Sequence, residues 1–425
     1  MRFIHTSDWH LGKNLEGRSR IEEQRKFCKD FIEIVKEKQV DLVIIAGDVY
    51  DTHNPSAEAE KLFYDTISKI AENGERCVFI ISGNHDNPDR LSAITPLAQE
   101  QGIIVLGKPY SQAQTMDYKG YKIVDAKPGM TKLIINGEKV NIASLPYPSE
   151  KRLNEIIYTI SEDSKKSSEE ELVGTELKEA AVTIEESHDK KMQKTYSQKV
   201  GEIFKKLEED FEEEAINIAV SHIFVVGGET SESERPIQLG GSLLVEKKDL
   251  PRKSDYIALG HLHKPQRISE YVNAYYSGSP LQYSKDERNY AKGAYVVDIK
   301  AGENPIVEKI YFNNYKPIEV FSAKGIDEAI KICQENKERD IWSFFEIETD
   351  KVISALELKE MKDLLKDIIE IKPILKNVKN YDSVVIKEKG MAEIFRDFYS
   401  FTRGVEPKGE LMDIFMEIVS EGGQD

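Results

Sequence analysis

At 425 residues the chain exceeds what one ordinary hydrophobic core organises, so a large domain with smaller attachments is expected. Hydrophobic residues make up 40%, enough for a globular fold, while a formal net charge of -17 excludes long-range attraction to nucleic acid. DNA binding would therefore need a local basic strip or bound cations.

Cys28, Cys77 and Cys333 are dispersed and odd in number, which argues against a disulfide framework or a zinc-thiolate site and suits a reducing, cytoplasmic setting. The start turns polar at once after Met1–Ile4, unlike a signal peptide. No apolar run approaches the ~20 residues needed to span a bilayer, so no membrane attachment is expected.

In chain order, Phe3-Ile4 reads as a short strand leading to Ser7-Asp8-Trp9-His10, and a charged amphipathic helix follows from about Ile21 to Lys38. Asp41 to Ala46 is a buried-strand run ending at Gly47-Asp48. A second helix covers roughly Ala57 to Glu72, and Cys77 to Ile81 ends at Gly83-Asn84-His85-Asp86. This alternation implies a sheet with helices on its faces. Residues 150–214 turn polar and acidic, with a solvated insertion at about 161–195 and a helix from Tyr196 to about Glu213. Strands return at Ile216 to Val220 and Tyr256 to Leu259 and continue, shorter, through Tyr311. From residue 316 to 386 the pattern is that of a small α+β domain. Residues 387–425 hold two short amphipathic helices around Arg403-Gly404-Val405-Glu406-Pro407.

Chemistry concentrates at the strand ends. Asp8-Trp9-His10, Gly47-Asp48-Val49-Tyr50-Asp51, Gly83-Asn84-His85-Asp86, Ser221-His222 and Gly260-His261-Leu262-His263 each place Asp, Asn or His where a strand gives out. Singly, each fragment is an ordinary loop. Together they put ligand-type side chains where α/β sheets gather their ligands. Mixed carboxylate, imidazole and carboxamide donors suit Mn, Fe or Zn. Two such cations neutralise an anionic phosphodiester and activate water, and a carboxylate with two oxygens is the natural bridge between them. The glycines before Asp48, Asn84 and His261 are expected to let the chain turn sharply. His5 reads as a core histidine, His53 as a DNA contact or helix cap, and His188 as solvated.

These five motifs, in this order, resemble the calcineurin-like metallophosphoesterases, and within them the family of SbcD nuclease subunits. The likeness is carried by Thr6-Ser7-Asp8-Trp9-His10-Leu11-Gly12 and Gly260-His261-Leu262-His263-Lys264-Pro265-Gln266. Further support comes from Gly227-Gly228-Glu229 through Glu234-Arg235-Pro236-Ile237, and from Tyr276-Ser277-Gly278-Ser279-Pro280-Leu281. It covers most of residues 1–300 and, more loosely, the C-terminal third.

The resemblance implies an α/β fold: a four-layer sandwich of mixed sheets flanked by helices over residues 1–315, a DNA-capping α+β domain at 316–386 and a C-terminal helical pair. It implies two divalent cations, most simply Mn. One would be held by Asp8, His10, Asp48 and His263, the other by Asp48, Asn84, His222 and His261. His85 would protonate the leaving oxygen, with Asp51 and Asp86 as orienting carboxylates. The implied activity is that of a DNA nuclease, exonucleolytic on duplexes and endonucleolytic on single strands, in repair and recombination. The implied partners are DNA, an SbcC-like coiled-coil ATPase, and a second copy of the chain within a heterotetramer. The ATPase would be met by Ile394, Phe395, Phe398, Leu411, Phe415 and Val419, the alternative being that these two helices fold back on their own domain.

Gly102 to Pro109 mimics a phosphate-binding loop until its last position, where Pro109 replaces the Ser/Thr that would hold Mg. No nucleotide site is expected, so ATP dependence would come from the partner. Two rival readings remain. A phosphatase or nucleotide phosphodiesterase of the same superfamily is disfavoured because Thr52-His53 follow Asp51 and Asp86 ends the third motif. A non-catalytic DNA-end scaffold would be expected only if metal did not bind.

Overall fold

The structure, a computed structural model, describes residues 1–153, 195–234 and 243–375 and scattered positions between 392 and 416. The expected insertion, apart from Thr195, lies outside the described residues. Two compact units emerge. The first comprises residues 1–320 with two returning segments, 338–344 and 367–370.

Two sheets form the first unit. One has the order Ile306–Tyr311, Gly293–Asp298, Arg2–Thr6, Leu42–Ala46, Cys77–Ile81, Ile103–Leu106. Its Arg2–Thr6, Leu42–Ala46 and Cys77–Ile81 strands run parallel. In the other sheet, Ile216–His222 and Tyr256–Gly260 are parallel neighbours at the centre, and Glu138–Leu145, Met130–Ile135 and Tyr121–Lys127 extend one side.

Strand alternation sorts the side chains. Val43, Ile45, Val78 and Ile80 face one way, onto Phe27, Phe31, Phe63 and Ile67 of the helices Ile21–Glu37 and Ala57–Ala71. Leu42, Ile44, Phe79 and Ile81 face the other way, onto Ile142, Ile218, Val220 and Tyr256 of the second sheet. Ala143, Ala219 and Leu259 then cover Val200, Ile203 and Phe204 of the helix Tyr196–Leu207. The result is helix, sheet, sheet, helix. Burial on both faces is why the central strands read as unbroken apolar runs. Each fully buried Leu or Ile contributes roughly 1.5–3 kcal/mol.

Helix starts follow local chemistry. Ser56 accepts from the Ala59 amide, and Thr195 forms a reciprocal capping box with Gln198. Such caps contribute about 1 kcal/mol each. The Tyr196 helix stops at Leu207, short of the expected Glu213. Glu208–Asp210 tighten into a 3₁₀ turn there, and the Glu208 carboxylate holds the Lys253 amide 2.5 Å away.

The second unit contains the helices Ile326–Asn336 and Ala355–Leu364, which bury Ala329, Cys333 and Met361. Phe321 and Phe345 meet with ring centroids 5.2 Å apart. Among the described residues, no helix is long and apolar enough to cross a membrane.

Candidate metal centre

The parallel strands of both sheets end on the same side, and their exits carry the polar groups. Asp8 and His10 follow Arg2–Thr6, and Asp48 and Asp51 follow Leu42–Ala46. Asn84, His85 and Asp86 follow Cys77–Ile81, His222 closes Ile216–His222, and His261 and His263 follow Tyr256–Gly260.

The exits are strained. Asp8, His10, Asp48 and His261 all adopt positive φ, at 53°, 45°, 50° and 115°. Such conformations cost on the order of 1 kcal/mol or more for a residue with a Cβ, and they persist only where the surroundings impose them. Here backbone bonds do so: Asp8 N to Gly47 O at 3.0 Å, His10 N to Asp48 O at 3.0 Å and Leu11 N to Val49 O at 2.9 Å. Gly47 makes the sharp turn expected of it, with φ at 89°, whereas Gly83 and Gly260 do not adopt positive φ. Gly83 and Gly260 are needed for close approach. A Cβ on Gly260 would lie 1.8 Å from the Ala46 carbonyl oxygen, and one on Gly83 would lie 2.1 Å from Asp48 Oδ1.

The polar atoms converge in two overlapping sets. His10 Nε2 and His263 Nε2 are 3.0 Å apart, and Asp8 joins them within ligand range. His222 Nε2 and His261 Nδ1 lie 2.9 and 3.0 Å from Asn84 Oδ1. Asp48 Oδ2 stands between the sets, 3.6 Å from His10 Nε2 and 3.4 Å from His222 Nε2.

Hydrogen-bond polarity shows what these atoms face. The Ala46 carbonyl can only accept, so His222 Nδ1, 2.9 Å away, carries a hydrogen. In a neutral ring, Nε2 is then a lone pair aimed at the oxygens of Asn84 and Asp48. His10 Nδ1 lies 3.5 Å from Asp51 Oδ1 without a hydrogen-bond partner among the described residues, and its Nε2 faces the His263 nitrogen. Lone pairs clustered at these separations repel unless a cation lies among them. Donors about 2.1 Å from one cation sit about 3 Å apart at right angles and about 3.4 Å apart in a tetrahedron, the range found for most pairs here. The donor set fits divalent metal ions.

Burial and mutual fields set the protonation states of the metal-free protein. Burial raises the Asp8 carboxyl to about 7, opposed by His222 and reinforced by Asp48. Burial also acts on Asp48, but His222, His85 and His10 outweigh it and hold its carboxyl well below the usual range. His222 is driven down by burial and up, more strongly, by Asp48 and Asp8, reaching about 9. Burial lowers His10 to about 4 and also lowers His261 and His263. Three imidazoles are thus already neutral, and a proton on His222 stands in for a cation.

His85 is buried beside the cluster. Its Nδ1 is 2.7 Å from the Asp51 carbonyl oxygen, and its Nε2 is 4.0 Å from Asp48 Oδ2. The Asp51 carboxylate lies 3.7 Å from His85 Nδ1 and accepts from Lys13 Nζ at 2.9 Å. Asp86 turns away from the donor atoms. It accepts from the amides of Val49, Tyr50 and Gly83 at 3.1, 2.9 and 2.9 Å, so it ties two exit loops together. His5 is a buried strand residue 3.0 Å from the Tyr256 hydroxyl, away from the cluster. His53 is exposed, and Ser56, not His53, caps the helix.

Several supporting residues were not singled out from the sequence. Gln24 bridges the His10 carbonyl and the Gly12 amide, both at 2.9 Å. Ser7 joins Ser277 at 2.8 Å. Ser233, Glu287 and Lys292 surround His263. The Glu229-to-Ile237 and Tyr276-to-Leu281 wording was the available signal for part of this group, but it did not show which site atoms those residues serve.

Of the expected partner-binding residues, Ile394, Phe398 and Val419 lie outside the described residues. Phe395 and Phe415, one from each predicted stripe, stack with centroids 3.9 Å apart and planes at 9°. Leu411 is half-buried.

A family model for calcineurin-like phosphoesterases matches residues 1–265. The chain is 35% identical over 425 residues to a protein from Bacillus subtilis (strain 168) named as the SbcD component of nuclease SbcCD, across 99% of this chain and 98% of that one. A protein of the same name from Staphylococcus epidermidis is 28% identical over 411 residues, covering 94% and 92% of the two chains. Among solved structures, a dimetal phosphatase from Danio rerio matches 74% of this chain and 97% of its own at 12% identity and a TM-score of 0.36, a likeness too slight to bear weight.

Proposed function

This chain belongs to the calcineurin-like phosphoesterases and, within them, to the SbcD nuclease subunits; from that premise we propose that it is a Mn-dependent DNA nuclease. It would act as the catalytic subunit beside an SbcC-like coiled-coil ATPase, cutting duplexes from their ends and single strands internally. The observation that carries the reading is the position of Asp48 Oδ2, 3.6 Å from His10 Nε2 and 3.4 Å from His222 Nε2. One carboxylate oxygen shared by two donor sets is what a paired-cation hydrolase needs.

In this reading Asp8, His10, Asp48 and His263 hold one cation, and Asp48, Asn84, His222 and His261 hold the other. When bound, two divalent cations would supply charge neutralisation for the phosphodiester and would lower the pKa of water. His85 donates Nδ1–H to the Asp51 carbonyl, which fixes its ring with Nε2 toward the cluster. To act as the acid the ring must carry a second proton on Nε2, 4.0 Å from the Asp48 carboxylate; that proton would pass to the leaving oxygen and leave the imidazole neutral. Asp51 supports that histidine and His10 together, and Asp86 keeps the exit loops in register.

The test is digestion of end-labelled duplex and single-stranded DNA by the purified chain, with Mn, with Mg or with chelator, and with the ATPase partner added or omitted. Cleavage that requires Mn, and duplex cleavage that rises with partner and ATP, is the expected result. Preference for p-nitrophenyl phosphate over its bis-ester would instead identify a phosphatase.

A further inference from the structure

We propose that Glu287 is a positioning residue for His263: acting through the Ser233 hydroxyl, its buried carboxylate fixes the tautomer that presents His263 Nε2 to a cation. The inference rests on the reading of His263 as a metal ligand.

Glu287 lies on the short turn Lys285–Asn289 and is fully buried. A carboxylate there must be paired, and it is: it forms an ion pair with the buried ammonium of Lys292 and receives the Ser233 hydroxyl. Being ionised, it can only accept, so Ser233 spends its one hydrogen on Glu287 Oε1. The other hydroxyl neighbour, Ser231 Oγ at 3.0 Å, donates its own hydrogen to Glu234 at 2.9 Å and leaves that assignment intact. Ser233 Oγ is also 2.5 Å from His263 Nδ1. With its hydrogen committed, the hydroxyl accepts there, so Nδ1 bears the proton and Nε2 is a lone pair. That lone pair faces His10 Nε2 at 3.0 Å.

The same group of residues clamps the His263 main chain. Its amide donates to Glu234 Oε1 at 2.7 Å, and its carbonyl accepts from Lys292 Nζ at 2.9 Å. Lys292 also donates to Ser279 Oγ at 2.8 Å. Ring and backbone are therefore oriented together. A carboxylate behind a ligating imidazole raises its basicity and removes the entropy of ring rotation, which is how outer partners govern metal affinity.

The experiment is Mn titration by calorimetry on the full chain, beside thermal melting of the chelated protein. Ser233→Ala removes the relay and leaves the buried ion pair in place. The double variant Glu287→Gln with Lys292→Met removes both charges at once, so no lone ion is stranded. Both are expected to weaken one of the two cations by about 10–100-fold while leaving the other near wild type. Ser233→Thr, which keeps the hydroxyl, should restore the affinity. Two results would overturn the proposal. One is wild-type affinity for both cations in Ser233→Ala and in the double variant. The other is equal loss of both cations with a fall in the chelated melting temperature, which would make Glu287 a loop anchor. A wild-type chain that binds no pair of cations would overturn the parent reading itself.

Discussion

At the scale of single residues, the site in the proposed reading divides into groups that would hold cations and one, His85, that would move a proton. Asp48 touches both donor sets, so Asp48→Ala should abolish cleavage and empty or disorder both cation positions, read as metal content after gel filtration. His85 lies beside the donors, with Nδ1 committed to the Asp51 carbonyl. His85→Gln should keep metal content near wild type while turnover falls on the order of 10²–10⁴-fold, as loss of a general acid does. Equal metal loss in the two variants would refute this division.

The protonation states give a second prediction. In the metal-free protein Asp8 titrates near 7 and His222 near 9, both above their ordinary values. Stability supplied by holding those protons is present at low pH and is lost as pH rises through those values. Cations compete for the same atoms, so the rise in melting temperature on adding Mn should grow between pH 7 and 9. Asp48, already ionised, adds no slope in that window. An increment independent of pH would show that neither proton is displaced.

At the scale of elements, the strand ends were legible because burial on both faces writes strands such as Leu42–Ala46 as unbroken apolar runs. The ligand-type residues then stand out at each exit. Less was legible where the information is three-dimensional. Nothing local in the sequence says that Ala46 of one sheet will offer its carbonyl to His222 of the other, or that Glu287 will reach Ser233 across 54 positions of sequence. The glycine expectation holds at Gly47, where φ is 89°, but not at Gly260. Gly260 leads into a residue that makes the turn itself, and its lack of a side chain serves the approach of the neighbouring sheet. Gly260→Ala should therefore act at a distance. Its Cβ would press on the Ala46 carbonyl that orients His222, costing about 1–3 kcal/mol in the chelated protein and weakening the cation held by His222. Unchanged melting and unchanged Mn affinity would show that the two sheets separate there without cost.

At the scale of the whole molecule, chemistry and assembly are, in the proposed reading, separable by sequence position. Every donor atom of the candidate centre comes from residues 8 to 263, all within the first compact unit. Among the described residues, the C-terminal helices supply none. Their predicted stripes would either face a partner or fold back on the chain's own domain, and Phe395 and Phe415 stack on each other. Part of each stripe is therefore spent joining the two helices, while Ile414 and Met416 remain 54% and 42% exposed. That sharpens the choice of variants. Phe415→Glu should break the helix pair itself, whereas Ile414→Glu or Met416→Glu should leave the pair intact and place a charge at an exposed position. Exposed apolar groups of this kind mark binding surfaces when they cluster. Deleting everything after Val385 should leave Mn-dependent cleavage of single-stranded DNA largely intact. Co-purification with the ATPase, and ATP-stimulated attack on duplex ends, should both be lost. The two exposed-face variants should weaken that co-purification without lowering the melting temperature. A truncated chain that still binds its partner, or that loses metal and precipitates, would assign these helices to the protein's own core.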